Sequence, residues 1–136
     1  MMQKIDHVGI AVLDLDKGIE TYKGLGFEYL GRETVAEQGV EVAFFQVGES
    51  KFELLCPLGE DTPIGKFIAK NGGKGGVQQV AITVDDIDAE MTRLKDQGYT
   101  LLQESPVDGA HNTRVAFLHP RSTEGVLLEL CEHRRG

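Results

Sequence analysis

Nothing in this chain is long and apolar enough to cross a bilayer, which takes about 20 consecutive apolar residues, so no membrane partner is expected. The opening MMQKIDHVG holds no apolar h-region of the kind a secretory signal needs, which makes the cytoplasm the default location. Basic residues are scarce. Fourteen Lys and Arg against 22 Asp and Glu leave a net charge of −8, and the acids are spread through both halves. Nucleic-acid binding, which calls for a basic stripe, is therefore not expected. Cysteine is down to two, Cys56 and Cys131, each shortly after a glutamate in a leucine-rich run. They are read as a small buried apolar position in each half rather than as a disulfide or a reactive thiol. What remains is 40% apolar and 26% charged over 136 residues, which excludes disorder and fits one compact domain.

What is present is a repeat. From Ile5 the chain reads IDHVGIAVLDLD, and from Val77, 72 positions later, it reads VQQVAITVDDID. Val8 answers Val80, Ile10 answers Ile82, Val12 answers Val84, and Asp14-Leu15-Asp16 answers Asp86-Ile87-Asp88. The register persists through Gly26-Phe27 and Gly98-Tyr99, then Leu30 and Leu102. Each half closes on a strand-like run around a glutamate, Phe52-Glu53-Leu54-Leu55 and Leu128-Glu129-Leu130.

Within each half the patterning reads strand, helix, strand, strand, strand. Residues 5–12 alternate, with Ile5, His7, Gly9 and Ala11 on one face; residues 77–84 put Gln79 at the position of His7. Asp14 and Asp86 are placed to cap helices over 16–23 and 88–97, and Gly26 and Gly98 to end them. Strands follow at 28–33, 40–47 and 51–55, and again at 100–104, 114–119 and 125–131. Module one thus spans 3–57, a connector 58–76, and module two 77–133 of a single domain covering 1–136. The connector holds a short helix near Pro63 and a glycine-rich stretch, 71–76. That stretch precedes a strand rather than opening a helix, so it is read as a linker and not a phosphate loop. His133-Arg134-Arg135 reads as a frayed tail.

A duplicated unit can bring the same polar position from each half to one shared cavity. The matched polar positions inside apolar runs are His7 with Gln79 and Glu53 with Glu129. Glutamates in leucine-rich strands are costly to bury alone, so Glu53 and Glu129 need either a cation or a solvated strand face. A histidine on a strand face is ordinarily a satisfied core or rim residue, but His7 has a glutamate-bearing partner strand in each half. Gln79 can be a ligand through its amide oxygen or an ordinary polar strand residue. His111 and His119 read as loop residues.

The tandem βαβββ pattern, with a histidine on the first strand and a glutamate on the last, resembles the vicinal oxygen chelate (glyoxalase/bleomycin resistance/dioxygenase) superfamily. Three further stretches make it similar to the methylmalonyl-CoA epimerase branch. They are EQGV at 37–40, TPIGKF at 62–67, and FLHPRST at 117–123 followed by GVLLELCE at 125–132. The resemblance implies an α+β fold of two tandem βαβββ modules forming a cupped mixed sheet around a shared metal site. It implies His7, Glu53, Gln79 and Glu129 as ligands of a divalent metal ion (Co, Zn, Mn, Ni or Mg), with Glu129 also catalytic as a base. The implied reaction is epimerisation at C2 of methylmalonyl-CoA, by α-proton abstraction through a metal-stabilised enolate, in a homodimer with an acyl-CoA substrate.

Two positions depart from that pattern. Epimerases usually show His-His where this chain has Gln78-Gln79, so a ligand histidine is replaced by an amide. Some carry a proposed catalytic glutamate where this chain has Val42; Glu41 is one residue short, and on a strand that shift reverses the face. Lys66, Lys70 and Arg121 could meet CoA phosphates on charge alone, and they are left out of the ligand set. A glyoxalase I-type lyase with the same proton shuttle, and a non-catalytic small-molecule-binding member, are the alternative readings.

Overall fold

The computed structural model describes residues 1–134. The chain forms two compact units, one of His7–Gln78, the other of Met1–Asp6 with the residues from Gln79 onward. The class is α+β, with mixed parallel and antiparallel strands, as expected.

In the His7–Gln78 unit, β1 (Met2–Ala11, its second half here) leads to α1 (Leu15–Leu25), β2 (Glu28–Val35), β3 (Val40–Val47) and β4 (Ser50–Pro57). The strands lie in the order β2-β3-β4-β1, with β4 parallel to β1 and antiparallel to β3. Asp14 caps α1 by accepting from the Lys17 N–H at 3.1 Å, and Gly26 ends it in the left-handed conformation, φ 105°. One face of the sheet, carrying Ala43, Phe45 and Leu54, packs with Leu15, Ile19 and Tyr22 of α1. Rings of Tyr22, Phe27, Tyr29, Phe45 and Phe52 interlock there at centroid separations of 5.2–6.0 Å, an arrangement that fixes the helix against the sheet. The connector forms α2 (Pro63–Lys70), capped by Thr62 with Pro63 in its first turn. The glycine-rich stretch then passes close under β1: a Cβ at Gly75 would stand 2.2 Å from the Ala11 carbonyl oxygen. That close approach accounts for glycine there.

The other unit contains β5 (Gly76–Val84, from Gln79 on), α3 (Ile87–Asp96), β6 (Val107–Gly109), β7 (Thr113–Leu118) and β8 (Leu128–His133). Its order is β5-β8-β7-β6, with β5 and β8 parallel and β7 antiparallel to both of its neighbours. Asp86 caps α3 through the Ala89 N–H. Val84, Ala116, Leu118 and Leu130 form the helix-facing core with Ile87, Met91 and Leu94. Arg114 ties helix to sheet by reaching both Asp88 of α3 and Glu132 of β8.

Three expectations are corrected. The strand expected at 100–104 is a single bridge at Leu101 to Leu118. The next ladder bond is replaced by a side chain, because the Phe117 N–H donates to Gln103 Oε1 at 2.8 Å. The strand of that part of the chain is instead Val107–Gly109. The tail expected to fray is held: His133 ends β8, and Arg134 is paired with Asp108 and donates its N–H to the Asn112 carbonyl at 3.1 Å. Arg135 lies outside the described residues. The two cysteines are not in a disulfide, but neither are they equivalent. Cys131 follows its glutamate by two residues and shares its face; Cys56 follows by three and joins the helix-side core.

Candidate metal-binding site

Both halves build the same local geometry. In the first, the parallel register sets Gly9 of β1 opposite Glu53 of β4. Gly9 has no side chain, so the glutamate reaches along the strand to the residue two earlier on that face. His7 Nδ1 lies 3.1 Å from Glu53 Oε2, and both residues are buried. In the second half, Ala81 of β5 stands opposite Glu129 of β8. Gln79, two residues before Ala81, donates from Nε2 to Glu129 Oε1 at 2.6 Å. Gln79 is 8% exposed and Glu129 4%. A small residue facing the glutamate, with a polar residue two positions earlier, is therefore the unit that was duplicated.

The neighbouring strands keep these carboxylates dry. Phe44 lies opposite Glu53 and Val42 opposite Leu55; Phe117 lies opposite Glu129 and Val115 opposite Cys131. Buried carboxylates in such surroundings require hydrogen bonds or a cation, and a solvated edge is excluded for both glutamates by their burial. In each half the observed partner is a side chain that could itself ligate a metal.

The donor chemistry fits a divalent ion. The carboxylate and imidazole of one half, and the carboxylate and amide of the other, are each ligand types that Mn²⁺, Co²⁺, Mg²⁺ and Zn²⁺ accept. Gln79 offers its N–H to Glu129, and the amide oxygen is the atom through which it would meet a cation.

The positions flagged as departures resolve differently. Val42 is 2% exposed on the same face of its sheet as Glu53, and brings no titratable group to it. Glu41 points to the helix side, where Arg32 donates to its Oε2 from Nε at 3.1 Å and reaches Asp16 at 2.8 Å. His119 is a structural cap: its Nδ1 accepts from the Arg121 N–H at 3.0 Å. His111 sits exposed in the β6–β7 turn at φ 54°, followed by Asn112 at φ 58°. Lys66, Lys70 and Arg121 are exposed.

Buried Asp6 and Thr83 form with the exposed His133 a polar group that reading the sequence passed over. Thr83 Oγ1 donates to Asp6 Oδ1 at 2.8 Å, and His133 Nε2 meets the same oxygen at 2.5 Å. The signal available was Asp6 itself, a charge inside the apolar alternation of the first strand.

Residues 6–117 match the glyoxalase/bleomycin resistance protein/dioxygenase superfamily. Human mitochondrial methylmalonyl-CoA epimerase is 43% identical over 128 residues, 93% of this chain and 72% of the human protein. The chain belongs to that superfamily, in its methylmalonyl-CoA epimerase family. The solved structures agree with the assignment. Methylmalonyl-CoA epimerase from Mycobacterium tuberculosis superposes with a TM-score of 0.93 at 40% identity, covering 98% of this chain and 90% of that one. A variant of the Streptomyces coelicolor epimerase, in complex with 2-nitronate-propionyl-CoA, superposes with a TM-score of 0.94 at 38% identity, covering 99% and 100%.

Proposed function

We infer that this epimerase-family chain interconverts the 2-epimers of methylmalonyl-CoA. The observation that carries the inference is the likeness to methylmalonyl-CoA epimerases over nearly the whole chain, at 40–43% identity. The ligand of the Streptomyces enzyme adds chemical detail, because a nitronate at C2 is planar and anionic there, as the deprotonated thioester would be.

The reaction removes a weakly acidic proton from C2 and returns one to the opposite face. His7, Glu53, Gln79 and Glu129 are proposed as the ligands of one divalent cation. Such an ion supplies Lewis-acid stabilisation of negative charge on the thioester oxygen, on the order of several kcal/mol. Glu129 is proposed as a base that takes up the C2 proton. Support comes from its burial beside Phe117 and Cys131, which keeps bulk water away from the carboxylate. Gln79, bonded to Glu129, holds that carboxylate in place. The same reading carries a homodimer in the cytoplasm. Among the described residues no helix is long and apolar enough to cross a membrane.

The test is solvent-deuterium exchange at C2 of methylmalonyl-CoA, with metal-stripped protein reconstituted with Co²⁺, Mn²⁺, Zn²⁺, Ni²⁺ or Mg²⁺. Exchange that returns with metal, and that falls at least 100-fold in Glu129→Gln, is the expected result. No exchange with any of these ions overturns the reaction assignment; exchange undiminished after stripping overturns the metal role. Conversion of the hemithioacetal of methylglyoxal in place of exchange would move the chain to the glyoxalase reaction.

A further inference from the structure

We propose that Asp6, Cys131 and His133 form a second divalent-metal site of the zinc class, tying the start of β1 to the end of β8. The inference stands independently of the epimerase reading. Cys131 and His133 alternate on one face of β8, and the register sets Thr83 of β5 opposite Cys131. Asp6 enters from the first half of β1 and meets both Thr83 and His133. One ligand atom from each of Asp6, Cys131 and His133 lies within 4.8 Å of the other two. Zn²⁺ bonds sulfur at about 2.3 Å and nitrogen or oxygen at about 2.0–2.2 Å, which sets tetrahedral ligand separations at about 3.3–3.8 Å.

The donor set selects the metal class. A thiolate with an imidazole and one carboxylate favours Zn²⁺ or Co²⁺ over Mg²⁺, Ca²⁺ and Mn²⁺, which want oxygen. The outer partner is also in place, since the Thr83 hydroxyl orients the Asp6 carboxylate as a second-layer hydrogen bond commonly does for a ligand. Cys131 is 1% exposed while the His133 side chain is 43% exposed, so the trio is dry on one side and open on the other. Three protein ligands and one open position follow. His133 is four residues beyond Glu129 on an extended strand, about 13 Å at 3.3 Å per residue. Cys131, the nearer member, is two residues from Glu129, about 7 Å along the strand, so its thiolate is what marks this trio off from the Gln79 and Glu129 pair.

Cobalt provides the direct test, because a thiolate ligand produces a sulfur-to-cobalt charge-transfer band that a site of carboxylates, amide and imidazole cannot. The full chain loaded with Co²⁺ is expected to show that band, to keep it in Cys56→Ala, and to lose it in Cys131→Ser. Zinc content after gel filtration is expected to fall by one equivalent per chain in His133→Ala. Circular dichroism of each variant reports whether it folds. Should Cys131→Ser not fold, the half-exposed His133 decides: His133→Ala must lose both the band and the zinc equivalent. Absence of the band in the unmodified chain, its survival in folded Cys131→Ser, or full zinc content and an intact band in His133→Ala overturns the proposal.

Discussion

Replacing Gln79 by Leu isolates the bond that holds Glu129. The substitution keeps the volume and apolar contacts of the side chain, so it opens little cavity, but it deletes the donor 2.6 Å from Glu129 Oε1. Both residues are buried, so water cannot take the place of the lost N–H without rearrangement. A hydrogen bond to a charged group contributes about 1.5–3 kcal/mol. At about 4 °C per kcal/mol for a domain of this size, the metal-free variant is expected to melt about 6–12 °C lower. Urea denaturation monitored by circular dichroism gives the free energy directly. A double-mutant cycle with Glu129→Leu then separates the bond from other effects, because removing both partners should cost about 1–2 kcal/mol less than the sum of the single changes. A loss below about 0.5 kcal/mol in Gln79→Leu, or additivity within about 0.5 kcal/mol, would refute the view that Gln79 supports Glu129.

Gln79→His restores the imidazole that the family resemblance leads one to expect, and it should raise Zn²⁺ and Co²⁺ affinity about tenfold, measured by calorimetric titration. Glu41→Gln should leave the C2 exchange rate within about twofold and cost less than about 1 kcal/mol of stability, since it only loosens an ion pair with Arg32 on the helix side. A larger rate loss would place Glu41 in the chemistry. Glu90 is buried, and its carboxylate is held below the ordinary glutamate range by the α-amino group of Met1, 2.9 Å away, and by Arg93. A depressed carboxylate value stabilises the fold above the unfolded-state value, about 4.3, and that contribution is lost as pH falls through the native value. Glu90→Gln should therefore lower stability at pH 7 and flatten its decline below pH about 4, read from denaturation midpoints across pH.

Much of the fold is legible in local patterning. Strand alternation, two aspartate caps and two terminating glycines mark both β–α starts, because caps and periodicity are properties of neighbouring residues. The same alternation marks the third strand of module one at its observed bounds, 40–47. The stretch 100–104 misled for a physical reason: its alternation suits a strand, but only Leu101 finds a ladder partner before the Gln103 side chain takes the next N–H. Likewise His133 and Arg134 looked like a tail because their partners, Asp6, Asp108 and Asn112, are distant in sequence or belong to a turn.

The sequence by itself determined the repeat, the α+β class, and the four polar positions set inside apolar strands. Those follow from periodicity and from the cost of placing a carboxylate or imidazole where apolar residues belong. Only the tertiary structure decided the pairing within each half. Strand register sets Gly9 against Glu53 and Ala81 against Glu129, and so hands each glutamate to the side chain two residues away. It also sent Glu41 to Arg32 and set Cys131, not Cys56, beside a histidine and an aspartate. Register is a long-range property, set by which strands adjoin, and a shift of one residue would have reversed every one of those assignments.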